Sequence, residues 1–571
     1  MKIEEKLMEA LSKYTLLHML RRTVANFPRH QALSMVDEEP LTYEEMNQRV
    51  MALQVFLQQQ GIIKGDRVAI LSENCPNWGI AYLAITTMGA IAVPILTDFH
   101  TNEIIHILRH SGAKMVFIST AMYDSIAYED FELKPLLVQL ESFTPIPHLA
   151  GKDVLKDLVS EGSATISRLK GLALKAVGLH SSEVQEDDIA AIIYTSGTTG
   201  SSKGVMLTHK NLVYDAHITL GIQKVCETDR LISILPLAHT YECTIGFIIP
   251  MMTGACVYYL DKPPTARVLV PAMQKIQPTI ILSVPLVIEK IFKLQVHPQL
   301  TKNGFFKAMY ATPFIRKALH KVAGKKLMKT FGGKLHFFGI GGAKLSAEVE
   351  RFLFEAGFPY AIGYGLTETS PLIAGCAPAV VKFRSTGTVL KGIEVRIADP
   401  DPKTGEGEIQ VKGDTVMKGY YRDKARTDEA FTPDGWFKTG DLGILSKQNY
   451  LYIMGRLKNV IIGPSGENIY PEELEAKINE QENVLESLVY EAEGKICAKV
   501  YLNYEVVDTL YGISKMSSVS AEKHIAKLLE EIRKKVNQNV SSFSVIHKII
   551  EQKEPFEKTP TKKIKRFLYQ N

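Results

Sequence analysis

Short, continuously apolar runs alternate along most of this chain with longer segments whose apolar positions recur every three or four residues. The first pattern marks strands buried on both faces; the second marks helices that turn one face inward. Segments 66–71 and 90–95 read as such strands, with a helix over 77–89 between them. Further strands are predicted at 116–119, 190–194, 231–235, 279–282 and 334–339. Ahead of them, Thr42 with Glu44 and Glu45 forms a helix start for the amphipathic stretch 46–60, a capping oxygen followed by acids in the first turn. Repeated strand–helix alternation predicts an α/β body of layered sheets.

The texture changes at Gly387. Segments 392–398 and 407–412 alternate apolar and polar with a period of two, as antiparallel strands with one wet face do. Another strand is expected at 450–454. Beyond Arg456 lies a compact mixed unit, with a helix at 471–481, strands at 484–492 and 496–503, and an amphipathic helix at 521–540. The expected architecture is a large multi-lobed N-terminal α/β body with a small β-rich subdomain over 1–456, then a small α+β C-terminal domain over 457–571. The uncharged run 243–260 is broken by Gly246, Pro250 and Gly254 and bounded by Glu242 and Asp261. It is expected to be a buried helix turning into a strand, and no transmembrane helix is predicted.

Composition narrows the classes. The chain has 571 residues, 46% hydrophobic and 23% charged, enough for a sizeable core. A net charge of +5 over this length does not point to nucleic acid. The six cysteines form no C-x-x-C pair, so neither zinc nor a dithiol site is indicated. Glu4 and Glu5 stand where a signal peptide needs basic charge, and the expected location is cytoplasmic.

Candidate chemistry begins at Thr195, Ser196, Gly197, Thr198, Thr199 and Gly200, followed by Lys203, between two predicted strands. Glycines let backbone N–H groups turn toward a ligand and hydroxyls add donors, which suits phosphates. Ser202 before Lys203 and Gly204 after it exclude a Walker A loop. Five further signatures follow in order: Pro236-Leu237-Ala238-His239-Thr240-Tyr241-Glu242; Gly341-Gly342-Ala343 with Gly363-Tyr364-Gly365-Leu366-Thr367-Glu368; Trp436 to Asp441; Arg456 and Lys458 leading to Gly466; and the tail 557–566.

Their content and order resemble the adenylate-forming, or AMP-binding, superfamily of acyl-CoA synthetases, luciferases and peptide-synthetase adenylation domains. The resemblance spans about residues 40–571. It implies that Thr195–Gly200, Lys203, Gly341, Gly342, Ala343, Tyr364, Gly365, Thr367, Asp441 and Arg456 form an ATP/AMP site. Tyr364 would stack on adenine, Asp441 would accept the ribose hydroxyls, and Thr195 with Glu368 would hold Mg²⁺. His239 would lie beside the substrate carboxylate. Lys458 would be the hinge of a mobile C-terminal domain, and Gly466 would approach the pantetheine of CoA. The tail aligns Lys563 with the family's catalytic lysine, so the catalytic set is Lys563, Glu368 and His239. Lys562 replaces the family's usual glycine, which leaves two adjacent lysines for one role.

The implied reaction joins a carboxylate to AMP with release of pyrophosphate, then passes the acyl group to CoA. Pro-Leu-Ala-His-x-x-Glu resembles long-chain fatty-acyl-CoA synthetases, so a medium or long fatty acid is expected. Transfer to an acyl carrier protein is the alternative. A luciferase-like monooxygenase and a nucleotide-binding regulator without turnover are remoter ones. Independently of any family, residues 290–347 contain no Asp or Glu, while Arg316, Lys317, Lys321, Lys325, Lys326 and Lys329 crowd one segment. That segment reads as a solvated basic helix, or as a contact for an anionic membrane, the CoA phosphates or an acidic carrier protein.

Overall fold

The structure, a computed structural model, describes residues 11–126, 135–147, 183–195, 202–463, 467–560 and 563–570. Two large sheets dominate. One runs in the order Gly419–Tyr420, Lys203–Thr208, Ile189–Thr195, Ile91–Ile95, Arg67–Leu71, Met115–Ile118, Leu136–Gln139, Thr144–Pro145. Its middle strands are parallel, and Lys203–Thr208 returns antiparallel along Ile189–Thr195. The other runs in the order Tyr360–Ile362, Phe337–Ile340, Ile280–Ser283, Arg230–Ser233, Cys256–Tyr259, Gln31–Met35, Leu41–Thr42. All its pairs are parallel except the last.

One core spans both sheets, holding Val68, Ala92 and Val205 from the first with Leu33, Leu231 and Val257 from the second. Helices fill the space between them. Thr42 caps the helix Tyr43–Gln59 in a reciprocal box with Glu45. The helix Pro76–Thr87 is buried nearly all round, as its apolar composition requires. Trp78 and Tyr82 stack at 5.3 Å, and Phe247 meets both edge-on. Gly79 makes this possible, because a Cβ there would stand 2.7 Å from the Phe247 ring.

The uncharged run is a buried helix followed by the strand Cys256–Tyr259, as expected. Its first part, Tyr241–Ile248, is wound as a π-helix. Pro250 lacks the N–H that a regular turn would use, and the Glu242 carboxyl lies where a Cβ on Gly246 would be. Among the described residues no helix is long and apolar enough to cross a membrane.

The β-rich part is a four-stranded antiparallel sheet, Ile393–Ala398, Gly407–Gly413, Phe437–Leu445 and Leu451–Arg456. A one-turn 3₁₀ segment, Leu457–Asn459, leads to the small α+β unit. There Val484–Ala492, Lys495–Leu502 and Lys548–Glu551 form a sheet that shares a core with helices Pro471–Asn479 and Ser518–Asn537. The strand expected at 334–339 begins at Phe337. His336 instead bonds Asp229 at 2.8 Å, at the foot of the strand Arg230–Ser233, two strands away in the sheet.

Candidate active site

Thr195 ends one strand and Lys203 opens the next, and the two stand opposite each other in register. Ser196, Gly197, Thr198, Thr199 and Gly200 between them lie outside the described residues, as do Gly466 and Lys562. Lys203 Nζ sits 2.7 Å from Glu368 Oε1 and donates to the Tyr420 hydroxyl at 2.6 Å. Tyr420 in turn donates to Glu368 Oε1 at 2.9 Å. Burial pushes the Glu368 carboxyl upward, but the Lys203 charge and hydrogen bond, with help from Tyr420, hold it below the usual carboxylate range. The acid is ionised at neutral pH.

Thr367 and Glu368 occupy a 3₁₀ turn between the short strands Tyr364–Gly365 and Leu372–Gly375. Gly365 is required there, since a Cβ would fall 1.8 Å from the Pro371 carbonyl. The Glu368 carbonyl accepts from Met417 N at 2.9 Å. Asn211 donates to the carbonyls of Asp414 at 2.8 Å and Val416 at 3.0 Å, tying this loop to the helix His209–Thr219.

A second charged pair faces the same region. Asp441 and Arg456 are register partners, with Arg456 Nε 3.1 Å from Asp441 Oδ1. Tyr364 donates its hydroxyl to Asp441 Oδ2 at 2.8 Å. Burial raises the Asp441 carboxyl above its ordinary value, and Arg456 and Tyr364 offset only part of that. The structure thus gives Tyr364 a hydroxyl role that the sequence did not suggest.

Asn74 organises the segment that carries His239. It accepts from Leu237 N at 2.8 Å and donates to Leu235 O at 2.6 Å and Ser233 Oγ at 2.9 Å. Ser233 donates to Glu242 Oε1 at 2.6 Å. Burial pushes the Glu242 carboxyl up to about 8, so it is largely neutral at pH 7. Burial, with the nearby Lys563 charge, lowers His239 to about 4. Its Nδ1 accepts the Tyr241 N–H at 3.2 Å. A neutral ring with Nδ1 accepting carries its proton on Nε2.

Tyr241 also lies across the Gly339–Gly341 edge, where a Cβ on either glycine would come within 3.1 Å of its phenol. The small residue at Gly341 therefore makes room for Tyr241. Gly342 adopts φ +86°, and a Cβ there would meet only Val284, at 3.7 Å. Behind Tyr241 is an apolar cavity of about 50 Å³, lined among others by Ile245, Phe337, Ile340, Gly363 and Leu372.

The small unit contributes Lys563. The tail folds back as a hairpin, with Thr559 N donating to Lys563 O at 2.7 Å and a bridge between Lys558 and Ile564. Arg566 anchors it through Glu475 at 2.7 Å and the Val489 carbonyl at 2.6 Å. Lys563 keeps solvent access, while enclosing protein, then Arg456, lowers its pKa. The charges of Asp441 and Glu368 pull the other way. Lys458 is exposed in the 3₁₀ connection.

Two hard oxygen donors remain for a metal. Glu368 is ionised, and among the described residues the buried Thr195 Oγ1 has no hydrogen-bond partner. No cluster of three or more His, Cys, Asp or Glu that could hold a metal is found among the described residues. Such a pair fits Mg²⁺, which keeps waters and phosphate oxygens in its shell, better than an all-protein cage.

The AMP-binding enzyme family matches residues 20–421. The long-chain-fatty-acid–CoA ligase FadD15 of Mycobacterium bovis is 31% identical over 474 residues, covering 79% of this chain and 75% of its own. The chloroplastic long-chain-fatty-acid–[acyl-carrier-protein] ligase AEE15 of Arabidopsis thaliana is 26% identical, covering 76% of this chain and 68% of its own. ATP-bound MatB from Rhodopseudomonas palustris superposes with a TM-score of 0.74 over 98% of both chains at 22% identity, a likeness of fold. With a family match over most of its length and a relative of this identity, the chain belongs to the AMP-binding enzymes, as an adenylate-forming acid–CoA ligase.

Proposed function

We propose that this chain activates a medium- or long-chain fatty acid as its acyl-adenylate and transfers the acyl group to CoA. The observation that carries the acyl assignment is the apolar cavity, whose lining residues Ile340 and Gly363 directly precede Gly341 and Tyr364 of the nucleotide wall. Tyr241 lines that cavity and is two residues from His239, so an acyl chain held there would end near the His239 segment. FadD15 carries a fatty-acid name, which supports the reading.

In the first step a carboxylate oxygen attacks the α-phosphorus and the bond to pyrophosphate breaks. Positioning and charge neutralisation dominate such transfers. Lys203 and Lys563 supply positive charge, and Asp441 receives the ribose hydroxyls. Thr195 and Glu368 would hold Mg²⁺, which supplies charge neutralisation at the phosphates when bound. Neutral His239 offers Nε2–H to the reacting carboxyl group, as a donor and not as a base. In the second step a CoA thiolate attacks the acyl carbon and AMP leaves with the bonding electrons. Residues 1–456 and 457–571 act as two lobes about Lys458, presenting Lys563 for the first step and the Gly466 face for the second.

Pyrophosphate release is the test, with octanoate, palmitate and oleate set against 4-coumarate and malonate. Fastest release with a fatty acid supports the proposal; fastest release with 4-coumarate or malonate overturns the acyl assignment. Absence of release with every acid would favour a regulator. The likeness to AEE15 supports a second reading, in which a carrier protein replaces CoA. Offering both thiols to the preformed adenylate separates the two, and light emission in oxygen would mark luciferase-like chemistry.

A further inference from the structure

The helices Gly304–Ala311 and Pro313–Thr330 project a surface that the active site does not use. The first buries none of its residues. The second packs His320, Gly324 and Leu327 inward, with Arg316 held by both Glu355 oxygens at 3.1 and 2.9 Å. Its outer face is different. Lys317, Lys321, Lys325 and Lys329 recur every four residues and are all exposed. Like charges at this spacing repel one another along the helix. Among the described residues none of the four has an ion-pair partner, and Lys302, Lys307 and Lys326 are exposed beside them.

Large apolar side chains stand among these charges. Phe314 is 85% exposed, Phe305 70% and Val322 69%. Phe314, Ala318 and Val322 follow one another at four-residue steps, so they run alongside the lysines at 317, 321 and 325. Solvent exposure of two phenylalanines at the starts of adjacent helices carries a cost that a buried occupant would remove. Apolar tips ringed by basic residues, with no acid from 290 to 347, match the interfacial region of a negatively charged bilayer.

We propose that the 304–330 helix pair docks the protein on an anionic lipid surface, Phe305 and Phe314 entering the interface while the lysine stripe meets the headgroups. An acidic protein partner would satisfy the charges. The protruding, separated phenylalanines favour lipid, which needs no shaped complement.

The test is co-sedimentation of the full chain with phosphatidylcholine vesicles, with and without phosphatidylglycerol, over a range of salt. Binding should require phosphatidylglycerol and weaken with salt. Each surface charge contributes about fivefold to partitioning, so Lys317→Gln/Lys321→Gln/Lys325→Gln/Lys329→Gln should weaken it at least about a hundredfold. Phe305→Ser/Phe314→Ser should weaken it while leaving the salt dependence in place. Melting temperature and pyrophosphate release in solution should be unchanged in both variants. Equal binding to neutral vesicles, no binding, or wild-type binding by the quadruple variant would overturn the proposal. Loss of acyl-carrier-protein capture by the quadruple variant, with vesicle binding intact, would overturn it in favour of a protein partner.

Discussion

Lys203 and Lys563 both interact electrostatically with the same acidic group, Glu368, and they are held in opposite ways. Lys203 begins a strand next to the edge of the first large sheet and is locked to Glu368 and Tyr420 at 2.7 and 2.6 Å. Lys563 stands on a hairpin of the small unit, and among the described residues no ion pair fixes its ammonium. The difference separates two jobs that one residue type can do. A lysine that neutralises a buried acid belongs to the architecture of the site. A lysine whose charge is not consumed by a partner is available to a ligand, and can be withdrawn when its lobe moves.

The largest expected effect breaks this comparison from the mobile side. Lys563→Ala should slow adenylation by about 10²–10³, the usual cost of removing one well-aimed charge, with little change in melting temperature. Thioester formation from preformed acyl-AMP should survive; equal loss in both single-turnover half-reactions would remove Lys563 from its special role. The pH profile sharpens the point. Burial and Arg456 lower the Lys563 pKa, so the charged form is lost as pH rises through that lowered value. Adenylation should therefore decline on the alkaline side earlier than an ordinary lysine, at about 10.4, would dictate. Lys563→Arg keeps its charge, and its residual rate should lack that limb.

Next in size is Lys458→Pro. A fixed φ in the exposed 3₁₀ connection should hinder rotation of the small unit. Thioesterification should fall about tenfold or more while adenylation changes less, because a closed lobe already places Lys563 at the acids. Wild-type rates in both half-reactions would sink the hinge.

Lys203→Ala attacks the fixed side. It leaves the Glu368 carboxylate buried without its cation, at a cost of about 2 kcal/mol after allowing for the partial exposure of the pair. The sign with pH follows from Glu368. In the wild type its depressed pKa contributes stability above the unfolded value, lost as pH falls through the folded one. Without Lys203, burial alone raises the carboxyl, and stability falls as pH rises. The gap in melting temperature between wild type and variant should thus widen from pH 4 to pH 7. A constant gap would mean that Lys203 contributes packing and not charge.

The same contrast marks how far the sequence could be read. Glu368, Asp441, Arg456 and Lys563 were legible because each sits in a local signature. The strands and the capped helix at Thr42 were legible because period and capping are local as well. Tyr420 was not. It belongs to a two-residue strand added to the edge of Lys203–Thr208, and only that long-range pairing brings its hydroxyl to Lys203. Asn74 escaped for the same reason, since nothing around it announces the Leu235–Leu237 backbone that it holds. Tyr241 was visible as an aromatic, yet its occupation of the space beside Gly339 and Gly341 depends on two strands and a π-helix meeting. Glycine signatures announce a close approach without saying what approaches.

Tyr420→Phe is the smallest test and the one that divides architecture from charge within the fixed pair. The phenol accepts from Lys203 and donates to Glu368, and burial followed by the Glu368 charge keeps it protonated. Removing it takes away two hydrogen bonds but leaves the Lys203–Glu368 contact at 2.7 Å. Each such bond contributes about 1 kcal/mol, and part is regained as the partners tighten on each other, so the net loss should be about 1 kcal/mol. Chemical denaturation should place this variant between wild type and Lys203→Ala. In the double variant the two costs should fall short of adding, because the tyrosine has no cation left to orient. Full additivity would mean that Tyr420 acts on Glu368 alone. A loss as large as that of Lys203→Ala would make the tyrosine, and not the ion pair, the element that fixes the lysine in place.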